Sequence, residues 1–446
     1  MAELTGRRRF AHLFRRAGFG AKESTLTASL AAHPNEDTAY SIAVQKLIAD
    51  ARGPEGFADR IDWTPSNMTV QLWWLERMIR TTRPLREKLT LFWHDHFATS
   101  FKKDGMNHIM LFYQIELLRS GALDYLELLV RAISRNPAMI MWLDLNTNKA
   151  GDPNENFARE LMELFTMGIT FSSSANYSEN DIREATRAFT GYTIDASGNY
   201  FFNTAQHDGG SKTVLGQACE SGDDVIRRIF QMTRNGKSIV AHHIAAKLFS
   251  FLAYPVTPDD AVIAPHATAF LNSGFLTSSL VESILMSPEF SSLRAYRALV
   301  KSPVESAVSA LHILGAERVP LHGVWSGCTA AGQQLIAPPD VGGWPSGRAW
   351  INPNTMLSRC NMNVSIALSL GDPAASGAGG SSVNQLLAGL TPSQKVDRLT
   401  YLLMDSDIPA STRSTLVNYV GTLAYAEDRN MGLMNLVLAL PEFQLN

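Results

Sequence analysis

Hydrophobic residues recur along most of the chain with the spacing of an α-helix. In residues 7–17, Phe10, Leu13 and Phe14 fall on one face. Residues 84–97 open with a proline suited to a first helical turn, and apolar residues follow three and four positions apart. The pattern therefore predicts a mainly α protein with a large multi-helix body. Further helices are predicted at residues 70–80, 108–135, 155–167, 179–190, 223–234, 238–252, 277–287, 301–314, 355–369, 393–404 and 411–440.

Three stretches interrupt the helical pattern. Residues 192–216 carry β-branched and aromatic residues around an Asp-Ala-Ser-Gly turn, which predicts a small β-hairpin insertion. Proline and glycine in residues 337–354 forbid a long helix. The stretch "GDPAASGAGGSS", residues 371–382, is typical of a flexible surface loop. We therefore expect a main helical domain over residues 1–370, this loop, and a C-terminal helical subdomain over residues 383–446 packed on the main body.

Composition and charge narrow the class of protein. The 446 residues are 45% hydrophobic and 18% charged, which is ordinary for a globular protein. A net charge of -3 gives no reason to expect a nucleic-acid partner. No apolar run reaches the ~18–20 residues that a membrane span requires. No apolar segment follows the N-terminal arginines, so no signal peptide is seen; we expect a cytoplasmic location, or a periplasmic or secreted one for a trimmed chain.

Acidic residues concentrate in the stretch "GDPNENFARELMELFTMGI". Asp152 is placed to cap a helix, with Glu155 in its first turn, and Ser178 begins the next helix in the same way. Arg159 can pair with an acid one turn away, whereas Glu160 has no basic partner in its own helix. Glu160 is therefore either part of a solvated or structural ion-pair network, or a catalytic carboxylate that meets its partners in space.

Two histidines in "FWHDHF" raise the question of a metal. On a helix, His94 and His96 point to opposite sides, so they bind one ion only if the helix ends there. The alternative is one core histidine and one surface histidine. With Glu160, and with His207 or Asp208, they would form a mixed nitrogen and oxygen set suited to Zn²⁺, Mn²⁺ or Fe²⁺. Beyond such a divalent metal the sequence indicates no cofactor.

Two loops carry further polar or aromatic residues. In "HDGGSKTVLG", His207 and Asp208 precede a glycine pair, either as site residues or as part of a turn. In "PPDVGGWPSGRAW", Asp340, Trp344 and Trp350 lie on a loop rich in glycine and proline. The two tryptophans are either stacking platforms for sugar rings or plugs between helices.

Three arginines are candidates for binding an anionic substrate. Arg16 lies at the end of the first predicted helix, where it either receives a carboxylate, sulfate or phosphate or complements the helix dipole. Arg159 and Arg187 lie among the acidic residues of the central helices. Together they would orient carboxylates or hold an anionic group of the substrate.

These stretches taken together resemble the bacterial domain-of-unknown-function family 1800 over nearly the whole chain. One departure is Asp95, where the family pattern more often has Asn, a residue that offers a neutral hydrogen bond. The resemblance implies an often exported protein, encoded beside a sulfatase-like family that is a candidate partner, and a role in extracytoplasmic polymer or glycan metabolism. The matching stretches are "HLFRRAGFG", "LREKLTLFWHDHFATS", "NPAMIMWLD", "PNENFARELMELFTMGI", "DIREATRAFTGY", "HDGGSKTVLG", "SPEF" and "PPDVGGWPSGRAW".

The leading hypothesis is an enzyme of hydrolase type that acts on a glycan or related polymer, with or without a metal. Two alternatives stay open: a non-catalytic binding or scaffold protein with a buried ion-pair network, and a redox metalloenzyme with histidine and carboxylate ligands. The candidate catalytic residues are Glu160, His94, His207, Asp208 and Glu155; the candidate substrate-binding residues are Arg16, Arg159, Arg187, Asp340, Trp344 and Trp350; the candidate metal ligands are His94, His96 and Glu160.

Overall fold

The computed structural model describes residues 2–57, 66–316, 321–371, 383–422 and 426–446. Within these ranges the chain forms 22 α-helices and four two-stranded antiparallel hairpins, which confirms the mainly α prediction. No helix in the described ranges has the length and apolar character needed to cross a bilayer. Of the expected flexible loop, residues 372–382 lie outside the described part of the chain.

The helices follow one another along the whole chain. They are α1 (Gly6–Arg16), α2 (Glu23–Leu30), α3 (Glu36–Ala51), α4 (Asn67–Arg80), α5 (Pro84–His96), α6 (His108–Ser120), α7 (Leu126–Ser134), α8 (Pro137–Trp142), α9 (Asn156–Glu163), α10 (Glu179–Ala188), α11 (Gly222–Phe230), α12 (Ile239–Leu252), α13 (Ile263–Asn272), α14 (Thr277–Leu285), α15 (Pro303–Ile313), α16 (Leu321–Ala330), α17 (Pro353–Gly371), α18 (Val383–Leu386), α19 (Pro392–Met404), α20 (Ala410–Thr422), α21 (Ala426–Ala439) and α22 (Pro441–Gln444).

The strands form four separate hairpins between helices. The predicted hairpin is present, with Tyr192 paired to Phe202 across a turn at residues 195–198. The other three hairpins have strands of two residues each, which is too short for an alternating pattern to show in the sequence. The strands are β1 (Thr170–Phe171), β2 (Ser174–Ala175), β3 (Tyr192–Ile194), β4 (Tyr200–Phe202), β5 (Thr213–Val214), β6 (Gln217–Ala218), β7 (Thr233–Arg234) and β8 (Lys237–Ser238).

Helix starts test the predicted caps. Ser178 and Asp181 form the reciprocal capping box at the start of α10, as predicted. The predicted cap at Asp152 is wrong, because α9 begins only at Asn156 and Glu155 occupies its N-cap position. The Asp152 carbonyl instead accepts a backbone hydrogen bond from Lys149 at 3.2 Å, which holds the preceding residues in a turn.

Two buried apolar clusters make up the core, and α5 contributes to both. Leu89 and Trp93 belong to the cluster formed mainly by α1, α3, α7 and α9–α14. Leu91 belongs to the second cluster, formed mainly by α4, α15–α17 and α19–α21. The C-terminal helices therefore share a core with α4 and α15 across the expected domain boundary. Because α5 is buried on opposite sides, the polar residues near its C-terminal end lie where the two clusters meet.

A buried ion pair joins α5 to α6. The Arg119 guanidinium donates to the Glu87 carboxylate through Nη2 at 2.7 Å and through Nε at 2.9 Å. The Glu87 side chain is fully buried, so removing its charge leaves the arginine without its main counterion in a low-dielectric environment.

We expect Glu87→Gln to destabilise the fold by about 3 kcal/mol, as typical for breaking one side of a buried pair. Glu179→Gln is the matched control, because Glu179 pairs with Arg159 at 2.8 Å with an exposed side chain. Urea unfolding followed by circular dichroism gives both changes in the unfolding midpoint. Equal midpoints for the two variants would contradict a stabilising role for the Glu87–Arg119 pair.

Candidate functional site

A cavity of about 410 Å³ lies between α1, α5, α12, α15 and the loop that follows α16. Its charged lining residues are Arg16, Asp95, Lys247 and Glu305. Its aromatic lining residues are Phe92, Phe251, Trp344 and Trp350. Three of the sequence stretches singled out above thus meet here: the first helix, the end of α5 and the glycine- and proline-rich loop. A volume of this size is within the range of small-molecule binding sites.

Asp95 is held at the C-terminal turn of α5, with its carboxylate at the cavity wall. The Trp344 backbone N–H donates to Asp95 Oδ1 at 2.6 Å. Burial raises the pKa of Asp95 to about 6, against the Trp344 hydrogen bond and the Lys247 charge, which lower it. A carboxyl group in this range exchanges a proton near neutral pH, as a general acid or base must.

Glycine at position 343 is required for this contact. Gly343 has a φ of +89°, in the left-handed region. A Cβ at Gly343 would lie 2.6 Å from the Asp95 carbonyl oxygen and closer still to its carboxylate. The loop can therefore approach the end of α5 only without a side chain here.

Lys247 and His243 reach the cavity from successive turns of α12. The Lys247 Nζ donates to the Leu164 carbonyl at 3.3 Å. Burial lowers the pKa of Lys247 to about 8, although the Asp95 charge opposes that shift. Burial also lowers the pKa of His243 to about 3, so its ring is neutral. Sequence reasoning missed both residues; the available signal was a single charged residue in an otherwise apolar helix, "IVAHHIAAKLFSFL".

A second carboxylate, Glu305, lies in a buried ion pair at the cavity. Lys88 of α5 donates to its Oε1, and the Ser302 backbone N–H donates to Oε2 at 2.8 Å. Burial alone would raise the pKa of Glu305, but the charges of Lys88 and Arg16 and these hydrogen bonds lower it to about 2. Glu305 is therefore ionised where Asp95 titrates, although both line the same cavity.

Arg16 closes one end of the cavity by capping α12. Its Nε donates to the Leu252 carbonyl at 2.7 Å and its Nη2 to the Phe251 carbonyl at 2.5 Å. A guanidinium at the C-terminal carbonyls of a helix satisfies orphan acceptors and complements the helix dipole. Arg16 therefore supports α12 and lines the cavity, and its binding of an anionic group stays a prediction.

The two histidines of "FWHDHF" do not meet. Helix α5 continues to His96, so the two rings face opposite sides. His94 packs edge-on against Trp74 and Trp344 with ring centroids 5.4 Å away in each case, while His96 Nε2 lies 3.1 Å from the Phe165 carbonyl oxygen. Burial lowers the pKa of His94 to about 3.

The expected metal set is not assembled. In the part of the chain that the structure describes, no three His, Cys, Asp or Glu side chains come together as a group that could hold an ion. The set His94, His96 and Glu160 is therefore corrected: the two rings are core side chains on opposite sides of one helix.

The acidic residues around α9 form exposed pairs away from the cavity lining. Arg159 donates to Glu155 at 3.0 Å and to Glu179 at 2.8 Å. Glu160 is half-buried, and burial together with the Glu163 charge raises its pKa against the Arg159 charge. Leu164 follows this helix, and its carbonyl accepts a hydrogen bond from Lys247 Nζ at 3.3 Å.

The "HDGG" loop forms a polar cluster of its own. Arg187 donates to Asp208 at 2.7 Å, and hydrogen bonds from Arg187 lower the pKa of Asp208 to about 2. His207 Nδ1 lies 2.8 Å from the Thr190 carbonyl oxygen. Asp340 is exposed and accepts from the Gly342 N–H at 2.8 Å within its own turn. Of the predicted residues, the cavity brings together Arg16, Trp344 and Trp350.

A larger cavity of about 510 Å³ lies between α2, α3 and α4. Its walls include Phe57 and Ala316, which adjoin residues that the structure does not describe. We therefore base no site on it.

A family model described as "Protein of unknown function (DUF1800)" matches residues 12–445. The chain belongs to this family. The match covers all the stretches on which the resemblance depends. It also includes every lining residue of the cavity that holds Asp95 and Lys247, the Asp95–Lys247 cavity. No curated protein and no solved structure matches this DUF1800 chain.

We expect Gly343→Ala to break the loop contact at Asp95, because the new methyl group occupies the space of the Asp95 oxygens. Gly347→Ala is the matched control, since Gly347 also has a positive φ but no atom lies within 4 Å of a Cβ there. Hydrogen exchange read by mass spectrometry should show the Trp344 amide exchanging at least about tenfold faster in Gly343→Ala only. Equal protection in both variants would argue against the contact.

The Lys247 charge lowers the pKa of Asp95, so Lys247→Met should raise that pKa above about 6. Lys237→Met is the control, because Lys237 is exposed and does not line the cavity, and it should leave the Asp95 pKa unchanged. Carboxyl ¹³C resonances of Asp-labelled protein report the titration, and the Asp95 signal is identified by its loss in Asp95→Asn. An unchanged or lower pKa in Lys247→Met would show that the two charges do not interact.

Proposed function

We propose that this chain is an acid–base enzyme of hydrolase type that acts on a glycan or related polymer held in the Asp95–Lys247 cavity. The observation that carries the proposal is the Asp95 carboxyl group, which faces the cavity with a pKa of about 6. The resemblance described in the sequence analysis implies that the family more often has Asn at the position of Asp95. The proposal is therefore made for this chain and not for the whole family.

Asp95 is the proposed proton donor. Below pH 6 the Asp95 carboxyl group is protonated in most molecules. In this form Asp95 can donate the proton to the oxygen of the bond that breaks. Water supplies the hydroxyl group of the product, and the proton that water loses restores the acid. The Trp344 N–H holds one carboxyl oxygen in place, which leaves the other for substrate.

Glu305 is the proposed stabiliser of positive charge. Two carboxyl groups in environments that push their pKa values apart are the arrangement by which one acts as an acid while the other stays ionised. Glycoside cleavage builds positive charge on the sugar ring, which an ionised carboxylate favours. Because Lys88 and Ser302 already occupy the Glu305 oxygens, we assign it an electrostatic role and not that of a nucleophile.

The aromatic lining supports a ring-shaped substrate. Trp344, Trp350 and Phe251 supply apolar surface at the cavity, and aromatic faces pack well against the C–H faces of sugars. Trp344 and Trp350 are at the same time nearly buried and belong to the second core cluster. Their positions are thus fixed by packing, which favours a preformed site.

One observation favours a second candidate, a non-catalytic binding protein. Glu305 is bonded by Lys88 and Ser302 and also accepts from Asn446 Nδ2 at 3.3 Å, so its polar capacity is used within the fold. In this alternative the buried charges fix helix packing, and the same cavity binds a sugar without cleaving it.

Asp95→Asn separates the two candidates, because the amide keeps the shape and the acceptor for Trp344 but cannot donate an acidic proton. We expect at least about 100-fold slower cleavage of a responsive substrate from an oligosaccharide and polysaccharide panel, measured by release of reducing ends. Activity of the unmodified protein should fall as pH rises through about 6, because the acid form of Asp95 is then lost.

Asp104→Asn is the matched control, because Asp104 is exposed and does not line the cavity. Full activity in a folded Asp95→Asn variant would overturn the assignment of the acid. Sugar binding with no cleavage by the unmodified protein would support the binding alternative instead.

A further inference from the structure

Lys247 is the one lysine among the residues that line the cavity. It belongs to the apolar helix α12 and lines the cavity together with Phe251, Val256 and Pro255, and its Nζ donates to the Leu164 carbonyl at 3.3 Å. Within the described ranges, no carboxylate is hydrogen bonded to it. The nitrogen therefore lies at a cavity without the counterion that holds most buried lysines as ammonium.

The groups coupled electrostatically to Lys247 are Asp95, His96 and His243, while Arg16 of α1 and Glu305 of α15 line the same cavity. Asp95 on α5 acts on it through its charge alone. His96 on α5 and His243 on α12 feel the Lys247 charge, and burial keeps both rings neutral by lowering their pKa values. Burial of Lys247 is therefore opposed by the Asp95 charge, and the resulting pKa of about 8 leaves part of the amine unprotonated near neutral pH.

We infer that Lys247 is a carbonyl-reactive amine, and that the cavity accepts a molecule with a free aldehyde or ketone group, which Lys247 holds as an imine. A desolvated lysine in an apolar pocket is the usual setting for such an amine. The open-chain form of a reducing sugar carries a carbonyl group of this kind. The inference deepens the proposed function by naming a ligand class for the same cavity. It depends on the residues that line the cavity and does not require that the protein cleaves a glycan.

The reaction balances with the groups present. The Lys247 nitrogen lone pair forms a bond to the carbonyl carbon, and one of the two amine protons passes to the carbonyl oxygen, which becomes a hydroxyl group. Asp95 then gives a proton to that hydroxyl group, which leaves as water while the carbon–nitrogen double bond forms. The proton lost from nitrogen returns to the Asp95 carboxylate, so no oxidant or reductant is needed.

Reductive trapping tests the inference on the full chain. Glycolaldehyde and cyanoborohydride convert each imine to a stable secondary amine, and mass spectrometry of peptides gives a rate for each lysine. At pH 7 we expect Lys247 to be labelled at least about tenfold faster than the exposed Lys149 and Lys237. Lys88, which is buried and paired with Glu305, is the matched buried control and should stay unlabelled.

The pH profile supplies the second measurement. Labelling of Lys247 should reach half its maximal rate near pH 8. A Lys247 rate equal to or below that of the exposed lysines, or no half-maximum near pH 8, would overturn the inference. Fast labelling without any glycan cleavage would leave the amine assignment standing and count against hydrolysis alone.

Discussion

The hydrogen bond from the Trp344 amide to Asp95 joins two parts of the chain that are far apart in sequence. It seats the glycine- and proline-rich loop on the end of α5, and Gly343 makes the approach sterically available. The loop carries Trp344 and Trp350, so the same contact builds an aromatic wall and removes water from the carboxyl group. Desolvation then raises the pKa of Asp95. The shape of the cavity and the raised pKa of Asp95 thus both depend on this contact.

Charge is distributed very differently around the cavity and around α9 and α10. Lys88 and Glu305 are buried, and their desolvation is offset only because their geometry is tight and Arg16 adds a further positive charge. The pairs of Arg159 and Arg187 are partly exposed to solvent, where ion pairs contribute little. The pairs around α9 and α10 stabilise local structure, and the catalytic and substrate-binding roles assigned to their residues stay predictions.

The helical architecture could be predicted from sequence because apolar spacing and capping residues are local signals. The box at Ser178 and the proline start of α5 are examples. The predicted helix cap at Asp152 was wrong because this residue instead forms a backbone bridge with Lys149. The site was harder to predict from the sequence, because only tertiary packing brings Lys247 and Asp95 to the same cavity. A single lysine in an apolar helix indicates an unusual buried charge, but the sequence does not show which residue interacts with it.

A comparison of Asp95 with an asparagine at the same position shows which features of the cavity need the acid and which do not. An asparagine there would still accept the Trp344 N–H through its carbonyl oxygen, so the loop would stay seated and the cavity would keep its walls. What an asparagine lacks is the titrating proton. Lys247 would then face a neutral amide, and nothing would oppose the effect of burial on its pKa. The cavity can thus form with either residue at this position. The raised pKa of the Asp95 carboxyl group, in contrast, depends on its burial at the cavity.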